Sequence, residues 1–377
     1  MASGVRIEVA TTTRRLVSLD AFRGAVIAGM LVVNNVPWNS ATPRQLMHAQ
    51  WGQGVTFTDM ILPWFVLAMG VALPQSHAAR GSIWWRAWRI VRRAATLIAF
   101  GVLIDSLEAR RLLVTIDVLQ LLGLSYLVAA PLGGLSMGAR LGIAGALLAG
   151  HAAVLALVPV PGSAPGVLRE GHNIVQYLND AYLSRYHLAG LLSVAPASAL
   201  ALIGGVAGDV LRRGVGASGR GDPRGISPTA AAMYVAFGGF ALAAGGWGWG
   251  AYLPLSKALW TSSYALFAGG FGLGLLALFY ALADVVGWRT AAAPLAVLGV
   301  NAIVAYVVPI LFKLLVLDAW RAHTAAGALV SLESAIIASF VARFGAAHAL
   351  WIYTGGYVLL WWLVLVPLYR ARIFVRV

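Results

Sequence analysis

The stretch NNVPWNSATPRQLMHAQWGQGVTFTDMILPWFVLAM (34–69) decides how this chain is read. It leaves one apolar run at Asn34 and Asn35, crosses a short polar segment carrying His48, and enters a second apolar run through Asp59. Trp51, Gly52 and Gly54 follow His48 closely, and Asp59 stands eleven residues on. A histidine, two glycines and a carboxylate form an unusual group where an apolar chain turns round. The side on which the turn lies therefore matters, and composition and loop charge address it.

Of the 377 residues, 60% are hydrophobic and only 11% charged. The mean hydropathy is +0.82. Soluble domains are about a quarter charged, so this chain reads as an all-α, polytopic membrane protein with the lipid bilayer as its main partner. Its length suits about ten transmembrane helices of ~20 residues with short loops. No separate soluble domain fits, so 1–377 reads as a single integral-membrane domain. The chain has no cysteine, which removes disulfides, thiolate catalysis and zinc–cysteine sites. The net charge of +14 fits basic cytoplasmic loops better than nucleic acid, which is not an expected partner. The opening MASGVRIEVATTTRR has no apolar run before Leu16. The segment after it is too long, and too mixed with Asp20 and Arg23, for a cleaved signal peptide, so the first span is expected to be retained.

Apolar runs and polar breaks predict spans at 17–36, 55–74, 94–107, 115–132, 141–158, 188–211, 229–248, 259–283, 294–316 and 348–369. Residues 333–345 read as an interfacial helix interrupted by Arg343. Within the loop 159–187, NIVQYLNDAYL has the pattern of one short helix, and 214–225 that of a flexible linker. With the N-terminus inside, 17 of the 27 basic residues fall on cytoplasmic segments and nine on the other side, Arg23 lying within the first span. This bias puts both termini in the cytoplasm and the His48 loop on the outer face.

Charged groups inside spans cost roughly 2.5–3.5 kcal/mol each on insertion scales and need a reason. Asp20 and Arg23, at i and i+3, share one helix face. They suit either a local ion pair, with Arg23 snorkelling, or a contact to an anion on the inner side. Asn34 and Asn35 can cap their span or bond a neighbouring helix. Asp59 can orient a histidine or pair with an arginine, and Pro63 should kink its helix. His48 alone would be an ordinary loop histidine. His77, His151, His172, His187, His323 and His348 lack comparable neighbours. WWRAWRIVRR (84–93) is either a topogenic belt or a cradle for phosphates. There is no GxxxxGK and no HExxH, so neither nucleotide hydrolysis nor a zinc protease is indicated, and no metal is expected.

The segments RLVSLDAFRG (15–24), VNN (33–35), HAQWGQGVTFTDMILPWFVLAMG (48–70), VLQLLGLSY (118–126), SKALWTSSYAL (256–266) and GVNAIVAYV (299–307) stand in one order along the chain. In them the chain resembles the heparan-α-glucosaminide N-acetyltransferase family of transmembrane acyltransferases, in a bacterial-style short form. The resemblance covers nearly the whole chain. It implies acetyl transfer from cytoplasmic acetyl-CoA, across the membrane, to a sugar acceptor. It also implies an integral-membrane location, here the bacterial inner (plasma) membrane. His48 matches the family's active histidine and Asn34 the asparagine beside it, with Asp59 as third catalytic candidate. Arg92, Arg93, Arg23, Asp20 and Gln120 are assigned to the acetyl-CoA side. Trp51, Trp64, Lys257, Trp260 and Asn301 are assigned to the acceptor side. The chain also departs from the family. Its VTIDVLQL (114–121) stands for a RIPGVLQR pattern, so two arginines are missing and Asp117 appears. RYHLAG (185–190) replaces a DPEG-like block, and the large luminal domain is absent. The acceptor is therefore open between an amino sugar and another envelope sugar.

The residues suit this chemistry. His48 can serve as a base or carry the acetyl group itself, and the sequence leaves both open. Asn34 offers an amide donor for the oxyanion. The alternative is a proton-coupled small-solute transporter with His48 and Asp59 as relay, against which stands the lack of an internal repeat. A structural lipid-binding protein would leave the surroundings of His48 unexplained. Assembly as a homodimer stays open.

Overall fold

The computed structural model describes residues 16–36, 42–73, 82–217, 225–323 and 327–375. The N-terminal segment, His77, Arg80 and most of the expected linker lie outside the described residues. Twelve helices of eleven residues or more are present among the described residues. They are α1 (Val17–Val33), α2 (Phe57–Val71), α3 (Ile83–Ala109), α4 (Val118–Leu132), α5 (Met137–Leu157) and α6 (Val194–Ala217). After them come α7 (Pro228–Trp249), α8 (Ser262–Tyr280), α9 (Arg289–Val300), α10 (Ala302–Phe312), α11 (Leu332–Phe344) and α12 (Ala346–Arg370). Two antiparallel hairpins, β1–β2 (Leu168–Arg169 with His172–Asn173) and β3–β4 (Arg321–His323 with Leu329–Ser331), sit in loops.

The protein is a helical membrane protein. Among the described residues five helices, α5, α6, α7, α8 and α12, are each long and apolar enough to cross a bilayer. The bent pair α9–α10 makes a sixth if counted as one span. Burial sorts them: the most apolar stretch of α6 is 72% buried, those of α5 and α7 only 28%. The α6 helix is thus the inner post of the bundle, and α5 and α7 turn side chains outward.

In lipid, helices gain little from burying apolar surface against each other, so close backbone approach matters. The α1–α9 crossing rests on Gly24 and Gly299. A methyl at either would overlap the other helix's backbone, at Leu295 and Asp20. The α2–α6 crossing uses Gly70 against Ala201, and Gly204 and Gly208 against Leu67 and Val71, in the same way.

Three expectations need correction. The third span, expected at 94–107, is a helix from Ile83 to Ala109, so WWRAWRIVRR forms its first turns. Ser82 caps that helix by accepting from the Trp85 amide, a start signal hidden by the basic run after it. The span expected as continuous over 294–316 is broken between α9 and α10, with a bend of 61°. Asn301 occupies the break with non-helical backbone, where its amide can bond chain ends (below). The expected span at 188–211 starts as a helix only at Val194, after a short turn at Leu191–Ser193. The interfacial segment 333–345 is α11. NIVQYLNDAYL begins as the short helix Ile174–Leu178 and continues in looser turns to Tyr186.

Candidate active site

The site is built on the start of α2. Thr56 and Asp59 form a reciprocal capping box: each side chain meets the other's backbone N–H. A capping residue of this kind is worth ~1 kcal/mol, so Asp59 is held by the helix before it does anything else. Its Oδ2 accepts from the amides of Thr56 and Ala49, each at 3.1 Å. The Thr56 hydroxyl lies 2.9 Å from the same oxygen and 2.7 Å from the Met47 carbonyl, with one proton for the two. Oδ1 stays free for side chains. His48 Nδ1 sits 2.7 Å from it, and Lys257 Nζ 3.7 Å. Asp59 is only 2% exposed, His48 about half.

Pro63 completes this arrangement. It has no N–H to give to the Asp59 carbonyl four residues back. The Tyr264 hydroxyl takes that place, donating to Asp59 O at 2.6 Å. Helix α2 is continuous through Pro63, and Tyr264, on α8, is fully buried. The turn carrying His48 is shaped by Gly52 and Gly54, at φ 74° and 79°, where a side chain would strain the backbone. Arg44 closes it by donating to the Gln53 carbonyl at 2.9 Å.

Lys257 arrives from the loop before α8. Thr261, the N-cap of α8, donates to Pro254 O at 2.8 Å and accepts from Ser256 N at 3.1 Å. Ser263 donates to Leu253 O at 2.7 Å. Buried His151 of α5 bonds Leu259 O at 3.1 Å. The loop is thereby pinned, and Lys257 Nζ lies 3.1 Å from His48 Nδ1. Burial holds the Lys257 ammonium below the usual lysine range, against the opposite pull of Asp59. The 2.7 Å contact to a carboxylate puts the His48 proton on Nδ1. Nε2 then carries the lone pair, and no partner for it is present among the described residues.

His48 and Asn34 border a cavity of about 510 Å³ between α1, α3, α4 and α10. Asn34 is exposed there. Its neighbour Asn35 is buried and tied on three sides: it donates to Leu31 O, accepts from Lys313, and its carbonyl accepts from Thr354. Lys313 continues to Glu333 at 3.1 Å, and Glu333 accepts from Tyr353 at 2.9 Å.

The remaining candidates divide. Trp51 donates to Leu168 O at 3.2 Å, fastening the His48 turn to the β1–β2 hairpin. Gln120, expected with the cofactor group, instead lines the His48 cavity and donates to Asp105 Oδ2 at 2.6 Å. Trp64 is buried and donates to Ala268 O inside the bundle, so it holds α2 to α8 and does not face an acceptor. Trp260 is buried at φ 47° and meets the Tyr264 ring edge-on, which shapes the Lys257 loop. Asn301 is not brought to the cavity: its amide binds Ile373 O at 3.0 Å and Val375 N at 2.8 Å near the C-terminus. Asp20 is buried in α1, and Arg23 reaches Ala68 O on α2 at 3.4 Å. Arg92 and Arg93 point apart, Arg92 exposed and Arg93 stacked on the Tyr126 ring at 4.7 Å.

Sequence reading missed Tyr264, Asp105 and Lys313, and a cluster of buried Arg140 with the half-buried Asp209 and Arg212. Arg140 pairs with Asp209, and Arg212 lies 3.8 Å from the same carboxylate. Tyr264 had a signal, the proline four residues after Asp59. The others needed helix contacts to be known.

Residues 15–222, more than half of the chain, match the family model described as heparan-alpha-glucosaminide N-acetyltransferase, catalytic. Heparan-alpha-glucosaminide N-acetyltransferase from Homo sapiens is 29% identical over 129 residues, 31% of this chain and 19% of the human protein. The Mus musculus protein of the same name is 26% identical over 133 residues, 32% of this chain and 20% of its own length. These alignments span about a fifth of the curated relatives. The matched region carries His48, Asn34, Asp59 and Gln120, and on it the chain belongs to the heparan-alpha-glucosaminide N-acetyltransferase catalytic family.

Proposed function

We propose that the protein is a membrane acetyltransferase moving acetyl from cytoplasmic acetyl-CoA to an amino sugar or other envelope sugar on the outer side. The observation that carries this is the His48–Asp59–Lys257 group at the edge of a cavity that Asn34 also lines. His48 Nε2 takes a proton from the acceptor nucleophile as it bonds to the acetyl carbonyl carbon; the C–S bond then breaks, and the departing CoA thiolate takes up that proton. Asp59 stabilises the imidazolium through Nδ1–H and holds the ring. The Asn34 amide and the Lys257 ammonium offer N–H groups to the oxygen that gains charge during transfer.

Acetyl-CoA supplies the acetyl group. The far end of the bundle fits its phosphates. Nε of Arg93, Nε and Nη1 of Arg140, and Nη1 of Arg212 are buried with no acceptor among the described residues. Guanidinium forks suit phosphate oxygens. Arg93 and the Arg140–Arg212 pair would hold the donor at that end.

Ten crossings with both termini in the cytoplasm, in a bacterial inner membrane, fit the charge bias and the helix order. The bent pair α9–α10 then counts as one crossing and α11 as an interfacial helix. The chain has no native cysteine, so single cysteines at exposed Gln53 and Gly134 report sidedness. An impermeant thiol reagent on intact cells should label Gln53→Cys and not Gly134→Cys, and the reverse pattern overturns the orientation. The activity test uses purified protein, labelled acetyl-CoA and a panel of amino and hydroxyl sugars. Labelled sugar is the expected product. Counterflow of unmodified sugar with no acetylated product would overturn the reading in favour of a transporter.

A further inference from the structure

Asn34 faces the cavity, yet its carboxamide has no hydrogen-bond partner among the described residues. The backbone around it must therefore hold it in place. That backbone is the end of α1, which stops at Val33 and turns through Asn34 and Asn35. Asn35 Nδ2 donates to Leu31 O at 2.8 Å, one of the carbonyls left over at a helix end. This bond sets which way the Asn35 carboxamide lies. Nδ2 turns back to α1, and Oδ1 is left for a donor from another element. Lys313 Nζ supplies it at 3.3 Å. The Asn35 carbonyl accepts from the Thr354 hydroxyl at 2.5 Å.

Lys313 is itself held at both ends. Its backbone N–H bonds the last turn of α10, and Tyr357 of α12 donates to Pro309 O in that turn at 2.6 Å. Its ammonium lies 3.1 Å from Glu333 of α11, which accepts from Tyr353 of α12 at 2.9 Å. Tyr353, Thr354 and Tyr357 stand close to one turn of α12. That turn therefore fixes the Lys313 backbone, the Lys313 head group and the Asn35 carbonyl together. Asn35 is 8% exposed and Thr354 3%, which leaves water little access to replace these partners. Glu333 offsets the Lys313 charge, so Lys313 brings a fixed N–H donor to the end of α1 more than a net charge. Lys313, Glu333 and Thr354 all lie outside the matched segment 15–222.

We propose that Lys313 is a positioning residue for acetyl transfer: by holding the Asn35 carboxamide it sets the turn that presents Asn34 to the reacting carbonyl. An oxyanion donor acts only if it is in place before the charge develops. The role of Lys313 rests on the acetyl-transfer reading.

The test is a double-mutant cycle on the full chain in lipid nanodiscs. It reads kcat and KM for transfer from labelled acetyl-CoA to a sugar acceptor established with the wild type. Lys313→Met removes the donor, and Asn35→Leu removes its acceptor at similar volume. Each should lower kcat about 10-fold, the scale of one hydrogen bond to a charged group, and leave KM within about 2-fold. Lys313→Arg keeps a charged donor and should retain most of the turnover. In an Asn34→Ala background, Lys313→Met should cost less than about 2-fold more, since residues that act through one another are not additive. CoA affinity and the thermal midpoint show that each variant is folded, and Asn35→Leu carries the cycle where Lys313→Met is not. Full additivity with Asn34→Ala overturns the proposal, because Lys313 then acts without Asn34. Wild-type kcat in both Lys313→Met and Asn35→Leu also overturns it. So does a loss confined to KM, which would make Lys313 a contact of the acceptor. A wild-type protein that acetylates no sugar removes the acetyl-transfer reading itself, whereas additive losses in an active enzyme remove only the role of Lys313.

Discussion

The two ends of the bundle handle charge in opposite ways. At the His48 end, charges from different segments meet and satisfy one another: Asp59 with His48 and Lys257, and Lys313 with Glu333. At the Arg93 end, Arg140 and Arg212 share the single carboxylate Asp209, and Arg93 rests on a tyrosine ring. Guanidinium N–H groups there stay buried without acceptors. A satisfied group holds a side chain in one geometry, which suits proton transfer. An unsatisfied cationic group gains most from an anion that arrives from outside. The difference is what the proposed function draws on in giving chemistry to the first end and donor binding to the second.

The sharpest way to break this division is at His48. His48→Ala should lower turnover by at least ~10²-fold, the low end for a positioned acid–base group, while CoA affinity by calorimetry stays as in the wild type. Full turnover in this variant would remove the chemical centre. Next in size is Asp59→Asn, which keeps the shape but replaces a charge-assisted hydrogen bond with a neutral one. A loss of roughly 10-fold in kcat is expected from that difference, with little change in KM. A change confined to KM would make Asp59 a binding residue.

The opposite end is tested by Arg93→Ala and Arg92→Ala. Arg93→Ala should weaken CoA binding roughly 10-fold, the scale of one charged hydrogen bond. Arg92, on the exposed face of α3, should change it little. Equal effects of the two would mean that a diffuse cationic belt, not a site, attracts the donor.

The smallest effect concerns Lys257. Burial lowers its folded pKa beneath the ordinary value of 10.5, so the unfolded chain binds more protons through the window just below that value. The thermal midpoint of the wild type, measured relative to Lys257→Met, should therefore rise as pH climbs toward 10.5. A flat difference would place Lys257 in water, away from the carboxylate.

Much of this was legible in the chain itself, because lipid imposes a simple rule. Backbone groups in hydrocarbon must bond internally, so an apolar run of sufficient length becomes a helix whatever surrounds it. Helices accordingly stand at all ten expected segments, one of them broken at Asn301. His48 and Asp59 were readable as a pair because their link is local, a turn of eleven residues closed by a capping box. Pro63 signals that the Asp59 carbonyl needs another donor, but not that Tyr264 supplies it.

What the chain alone could not assign were the partners on other elements, and the direction each helix face takes. Trp64 and Asn301 were assigned to the acceptor because both fall in segments that resemble the family. Packing gave the first to Ala268 and the second to the C-terminal backbone. Gln120 looked like a neighbour of the arginines, but it projects from the first turn of α4, six residues or ~9 Å along the axis from Tyr126, on which Arg93 stacks. Lys257 reaches His48 only because α8 crosses α2 at Tyr264 and Asp59. The sequence by itself determined which segments are helices and which residues are costly to bury, since both follow from local composition. Tertiary structure alone decided which costly residues share a cavity, because in lipid that depends on which glycine faces let helix backbones touch.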